Sequence, residues 1–245
     1  VGVSLTVLAW SLHLVANALG GVASSRVPWA NVYEFAMTGT LLIVTVFLTV
    51  LTKADLRFLG TFVIGLILVL LGIAAFNFNV EIAPMPTALQ SAWLIIHGFV
   101  ASLGTGFFAL GFALSVVQLL QLRRESLLSD ANTICLRFLV TVPAAATLEN
   151  LAYRIRILGI ILWTFTRMAG LIWAESLGTL LGWGYEGSLD LHRLGHLRRY
   201  IHARATRGWR GLRSDWLAIS EFAAVIFNLG IVNVLVKGLH LYSRL

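Results

Sequence analysis

Apolar runs of about twenty residues, separated by short basic or broken stretches, recur along this chain and restrict its fold more than any other feature. A bilayer offers no water to exposed backbone groups, so a run of that length crosses the roughly 30 Å hydrocarbon core as a helix. Six segments are expected to cross: residues 2–19, 35–52, 58–76, 93–122, 157–174 and 216–236. The implied architecture is an all-α, polytopic transmembrane helical bundle, a single integral membrane domain over residues 1–245. Composition agrees, since 58% of the residues are hydrophobic and 12% charged, whereas soluble domains carry roughly 25% charged residues. No small-residue cleavage motif follows the first run, which reads as a span rather than a signal peptide.

The formal charge of +7 would raise the question of nucleic acid in a soluble protein. Here the basic residues gather between apolar runs. Lys53 and Arg57 mark one connection, and Arg123, Arg124, Arg137, Arg154 and Arg156 mark another, over residues 123–156. The positive-inside rule puts both in the cytoplasm, together with the N-terminus. Residues 26–34, 80–91 and 175–188 are poor in Lys and Arg and are expected outside; Pro84 and Pro86 break any helix in the second of these. No basic face interleaved with aromatic residues is present to track a phosphate backbone, so no nucleic-acid partner is expected.

A seventh segment, residues 189–203, is ambiguous. Returning Arg204, Arg207, Arg210 and Arg213 to the cytoplasm requires it to cross. It contains Asp190, Arg193, Arg198 and Arg199, and a charge at mid-membrane costs about 2.5–3.5 kcal/mol. Arg193 then needs a partner, with Asp190 and Glu221 as candidates. As a helix the segment reaches only about 22 Å. Alternatively Leu191, Leu194, Leu197 and Ile201 form the apolar stripe of a helix lying in the interface. Charge asymmetry favours crossing, and crossing is the reading adopted.

Six histidines stand out in so apolar a chain: His13, His97, His192, His196, His202 and His240. With this topology, His97 lies about one turn inside the outer end of its span, and His240 follows the last span, so both stand at the external face. Two neutral imidazoles from separate helices suit the axial positions of a non-covalent haem b, whose apolar macrocycle also needs aromatic and aliphatic walls. Trp173 and Trp183 flank the external loop. Taken singly, they and Trp93 are better explained as belt residues at the interface, and His97 alone is as well explained by a hydrogen bond to a neighbouring helix. His202 falls at the inner end of 189–203 and would serve a second site, with His13 as a conceivable partner. His192 and His196 share a helical face, as metal ligands often do, yet no third ligand follows at a recognised spacing. Arg167 and Glu221 are charges within apolar spans, open to a functional role or to a buried ion pair.

Other chemistries leave no trace. There is no phosphate-cradling loop, no HExxH and no dinucleotide fingerprint. Gly104 and Gly106 lie inside an apolar run, where small residues permit close helix contact. Cys135 is the single cysteine, so the chain forms no internal disulfide and runs no dithiol cycle by itself.

Five strings, in order along most of the chain, resemble the CcsA/ResC family of system II cytochrome c biogenesis: residues 26–35 (RVPWANVYEF), 89–97 (LQSAWLIIH), 172–175 (IWAE), 202–211 (HARATRGWRG) and 238–242 (GLHLY). The resemblance implies a polytopic haem-binding protein of the bacterial plasma membrane or the thylakoid. Such a protein works with a ResB/Ccs1-type membrane subunit, moves haem to the external face and assists thioether attachment to the CxxCH of apocytochrome c. A thioredoxin-like reductant is a further expected partner. On this resemblance His97 and His240 match the two external histidines that flank a tryptophan-rich haem motif, and His202 matches a histidine at the inner end of the span that follows it.

The loop equivalent to that motif, residues 175–188, departs from the family pattern. Around W-G-x-x-W-x-W-D-P-K-E-x-W, this chain keeps Gly178 and Trp183 and lacks the other tryptophans, the aspartate and the proline. The charged segment 189–203 directly follows. The leading expectation is haem presentation for cytochrome c assembly, with Trp173, Trp183 and Gly178 as remnants of the haem platform. Part of a holocytochrome c synthase is the enzymatic form of that reading, although no acid–base residue is identifiable. One rival is a transporter without synthase activity, in which Arg167, Arg193 and Glu221 line a path for propionates. Another is a non-catalytic membrane scaffold with a degraded haem site.

Overall fold

A computed structural model describes residues 1–29, 31–77, 92–129, 137–176 and 212–227. These form α1 (Gly2–Ser24), α2 (Val32–Leu51), α3 (Gly60–Asn77), α4 (Ala92–Ser129), α5 (Ala145–Ser176) and α6 (Leu212–Phe227), with 3-10 turns at Arg57–Leu59 and Arg137–Thr141. The protein is an all-α membrane bundle, and no strand occurs among the described residues. Among the described residues, four helical segments are long and apolar enough to cross a bilayer: Gly2–Ser24, Val32–Leu51, Arg57–Asn77 and Ile95–Leu127. They coincide with the first four expected spans, because a lipid-facing helix must be apolar almost continuously and so announces itself in composition.

α5 differs from expectation. It begins at Ala145, about three turns before the apolar run expected from residue 157. Glu149, Arg154 and Arg156 depress the hydropathy of those turns, yet Glu and Arg are good helix formers. Leu148, Ala152 and Ile155 meanwhile supply a buried stripe at helical spacing. Arg154 and Arg156, expected in a connection, therefore stand on a helix. α6 covers the start of the run expected over 216–236; its remainder and the segment 189–203 lie outside the described residues.

α4 is the central element and packs against α2, α3, α5 and α6, whereas α1 packs chiefly on α2. Trp10 of α1 donates through Nε1 to Thr45 Oγ1 at 2.8 Å, and Asn17 donates to Thr38 Oγ1 at 3.2 Å. The opposite face of α1 exposes Leu5, Leu8, Leu12, Val15 and Leu19, which suits lipid contact. Phe112 of α4 stacks on Phe222 of α6 with ring centroids 4.8 Å apart and meets Phe62 of α3 at 5.8 Å.

The α4–α5 pair is antiparallel and held in a seven-residue register. His97, Gly104 and Gly111 on α4 face Gly170, Trp163 and Arg156 on α5, so each large side chain meets a glycine. A Cβ at Gly104 would lie 2.6 Å from Trp163 Cδ1, and one at Gly111 would lie 2.5 Å from Arg156 Cγ. Gly159 makes the same accommodation for Phe108 of α4. Seven residues are close to two helical turns, so this repeat keeps one face of each helix on the other along the interface. The expected role of Gly104 and Gly106 as helix contacts is realised, since Gly106 lies against Leu42, Ile43 and Val46 of α2.

The α4–α5 connection folds back on the last turns of α4. Glu125 accepts from the Ala145 amide at 3.1 Å, capping α5, and Gln121 and Arg124 donate to the Val142 and Leu139 carbonyls. Leu139 and Leu148 share one core cluster with Leu56 and Leu59 of the α2–α3 connection. Both basic connections therefore gather at one end of the bundle.

Candidate functional site

At the opposite end, three segments converge on the second turn of α4. His97 is half-buried there, and its Nδ1 lies 3.0 Å from the main-chain oxygen of Thr166 on α5. A carbonyl only accepts, so the neutral ring carries its proton on Nδ1 and its lone pair on Nε2. This contact depends on Gly170, one turn further along α5. A Cβ there would sit 3.0 Å from His97 Cε1 and 3.3 Å from Nδ1. A side chain at 170 would crowd the imidazole where it reaches the α5 backbone.

The other side of this turn is covered by the α1–α2 loop. α1 ends with Ser25 in the left-handed region (φ 52), while the Ser25 and Arg26 amides donate back to the Val22 and Gly21 carbonyls. That is the Schellman pattern, which satisfies the last carbonyls of a helix and reverses the chain. Asn31 then caps α2 by accepting from the Glu34 amide at 2.8 Å. Between these stops, Arg26 grips Glu34 with two parallel bonds of 2.7 and 3.0 Å, and the Thr38 hydroxyl donates to the Pro28 carbonyl. The loop so fixed carries Trp29, 8% exposed, onto Gly98, where a Cβ would lie 3.1 Å from the indole Cε3. Arg26, Asn31 and Glu34 of the 26–35 string thus each have a structural function.

Buried polar atoms in this end of the bundle that lack a hydrogen-bond partner among the described residues include Trp29 Nε1, Ser102 Oγ and Thr166 Oγ1. Trp29 contacts the residue after His97, Ser102 lies one turn below Gly98, and Thr166 supplies the carbonyl on the imidazole. Orphaned buried polar groups are uncommon in folded proteins, and each calls for an explanation such as a ligand or water that completes it.

Of the expected site residues, the structure places His97 within this arrangement. Trp173 belongs to α5, seven residues beyond Thr166. Gly178, Trp183, His192, His196, His202, His240 and Cys135 lie outside the described residues. His13 stands on α1, beside α2 rather than α5, with its Nε2 buried and lacking a hydrogen-bond partner among the described residues. Arg167 is half-buried on α5 next to Thr166, and Glu221 is part of α6. Thr166, Gly170 and Gly98 escape a reading of the sequence, and Trp29 enters it only as a member of the 26–35 string.

The cytochrome c assembly protein family matches residues 29–240, a stretch bounded by Trp29 and His240. A cytochrome c biogenesis protein CcsA from Guillardia theta is 30% identical over 264 residues, covering 100% of this chain and 86% of that protein. The CcsA of a Synechocystis species is 30% identical over 267 residues, or 88% of this chain and 80% of the relative. That of Gloeothece citriformis reaches 35% identity over 161 residues, or 60% and 47%. A multi-pass helical bundle with a histidine set into one end, matched over most of its length, thus belongs to the cytochrome c assembly protein family and to its CcsA members, with a role in cytochrome c assembly.

Proposed function

We propose that this protein binds haem at the end of the bundle that carries His97 and presents it for covalent attachment to apocytochrome c. One observation carries the reading: His97 Nδ1 is committed to the Thr166 carbonyl. Histidines that ligate a metal characteristically donate their second ring N–H to a carbonyl or carboxylate, which fixes the tautomer and raises the basicity of the ligating nitrogen. The residues present fit haem as substrate. His97 and His240 would hold its iron, Trp173, Trp183 and Gly178 would border it, and His202 would belong to an inner site. The orphaned Thr166 hydroxyl is a donor that a haem carboxylate would satisfy. Haem b supplies the vinyl groups that react with the cysteine thiols, while the protein fixes iron ligation and lets proximity do much of the remaining work.

In this reading the end with His97 faces outward and the basic connections, with the N-terminus, face the cytoplasm, in the plasma membrane or a thylakoid. A ResB/Ccs1-type subunit, a CxxCH apocytochrome and a thioredoxin-like reductant are the partners. The test is co-expression with an apocytochrome and the partner subunit, followed by staining for covalent haem. Wild type is expected to yield holocytochrome and His97→Ala to lose most of it; undiminished yield from the variant contradicts the proposal. A second reading, haem transport without synthase activity, is favoured by Arg156, 2% exposed within the bundle on the same helix as Thr166. Haem-loaded protein that yields no holocytochrome selects it.

A further inference from the structure

We infer that the α1–α2 loop is a positioning device for the His97 ligand, with Trp29 as the residue that acts and the ion pair of Arg26 and Glu34 as the clasp that holds it. The inference rests on the haem reading above for its consequence but on geometry for its substance. His97 and Gly98 are consecutive, so they point to different sides of α4. On one side α5 offers the Thr166 carbonyl and the gap at Gly170. On the other, the Trp29 ring sits against the bare backbone of Gly98. The first turns of α4 are therefore gripped between an indole and a neighbouring helix, and the imidazole is aimed by both.

The loop is tied more heavily than a connection between two spans requires. The Arg26 and Glu34 side chains are each 12% exposed and meet as a bidentate pair, the arrangement with the most geometric specificity. Asn31 and Thr38 add two further ties on either side of Trp29. A helix N-terminus frays unless something holds it, because its first amides lack partners within the helix. His97 is the sixth residue of α4 and sits within reach of that fraying. An iron ligand must keep its ring orientation to keep its bond, so a ligand placed there needs an external clamp. Trp29 is a positioning residue in this scheme and does not touch iron.

The experiment uses the full chain in detergent and two readouts. Hydrogen exchange at the amides of residues 96–100 reports the clamp whether or not haem is bound. Trp29→Ala and Arg26→Glu are expected to speed that exchange about tenfold, while Trp29→Phe and the double variant R26E/E34R bring it back close to wild type. Bound haem reports the aim: Trp29→Ala is expected to turn a low-spin spectrum partly high-spin at unchanged haem content, and added imidazole is expected to reverse that. Wild-type exchange in Trp29→Ala overturns the clamp. Faster exchange with an unaltered haem spectrum overturns the positioning role and leaves the loop a purely structural brace. A colourless wild-type protein removes the ligand reading, while exchange still decides whether Trp29 holds the start of α4.

Discussion

His97 Nδ1 and the Thr166 carbonyl meet at 3.0 Å across the α4–α5 interface, through a gap that exists because residue 170 is glycine. The same interface is cut to a seven-residue repeat, so the imidazole is the outermost member of a series that continues through Trp163 and Arg156. Its orientation is set by the packing of the two longest helices in the described chain.

Gly170→Ala is expected to push the ring off the carbonyl, since the new methyl would lie 3.0 Å from His97 Cε1. Overpacking of this kind costs about 1–3 kcal/mol. The bound-haem spectrum is expected to shift toward high spin while the expressed protein stays folded. Unchanged low-spin bands in Gly170→Ala would show that the Thr166 contact does not govern the ligand.

Gly111→Ala places a methyl on the stem of Arg156. Alone it is expected to destabilise the bundle by about 1–3 kcal/mol. Combined with Arg156→Ala, which vacates that space, most of the added penalty disappears, giving a coupling on the order of 1 kcal/mol in a double-mutant cycle. Additive losses in denaturant titrations of the four proteins would contradict the register described for α4 and α5.

Asn31→Ala removes the side-chain acceptor at the start of α2, at a cost of about 0.5–2 kcal/mol. Asn31→Asp keeps an acceptor and adds a charge favourable at a helix N-terminus, so it is expected to match wild type. Equal stability of both variants and wild type in thermal unfolding would remove the capping role.

The two basic connections lie at one end of the bundle, and Ser25, Trp29 and Asn31 lie at the other. Single cysteines placed at Thr52 and Arg124 in a cysteine-free background are therefore expected to share protection from an impermeant thiol reagent in intact cells. A cysteine at Ser25 is expected to react. A reporter fused near Gly208 is expected to signal cytoplasm if residues 189–203 cross. External signal there would leave that segment lying in the interface.

Much of the fold is legible in the sequence where lipid imposes its demand. Spans α1 to α4 are readable because helices in lipid must be apolar, and their composition carries little else. The early start of α5 is not readable from hydropathy, because Glu149, Arg154 and Arg156 mask a helix whose stripe of Leu148, Ala152 and Ile155 is buried. The site divides in the same way. His97 is conspicuous as an imidazole in an apolar run, and the 26–35 string carries a family resemblance. Thr166 contributes a carbonyl that any residue would possess, and Gly170 and Gly98 matter through a side chain they lack. Such contributions leave no chemical mark and become visible only when tertiary packing brings the helices together.

The most direct test is the visible spectrum of the detergent-purified protein, compared with His97→Ala and His240→Ala. The account predicts low-spin haem in wild type, with the low-spin bands lost in both variants. Wild-type protein without haem, or low-spin haem that survives His97→Ala, would contradict it.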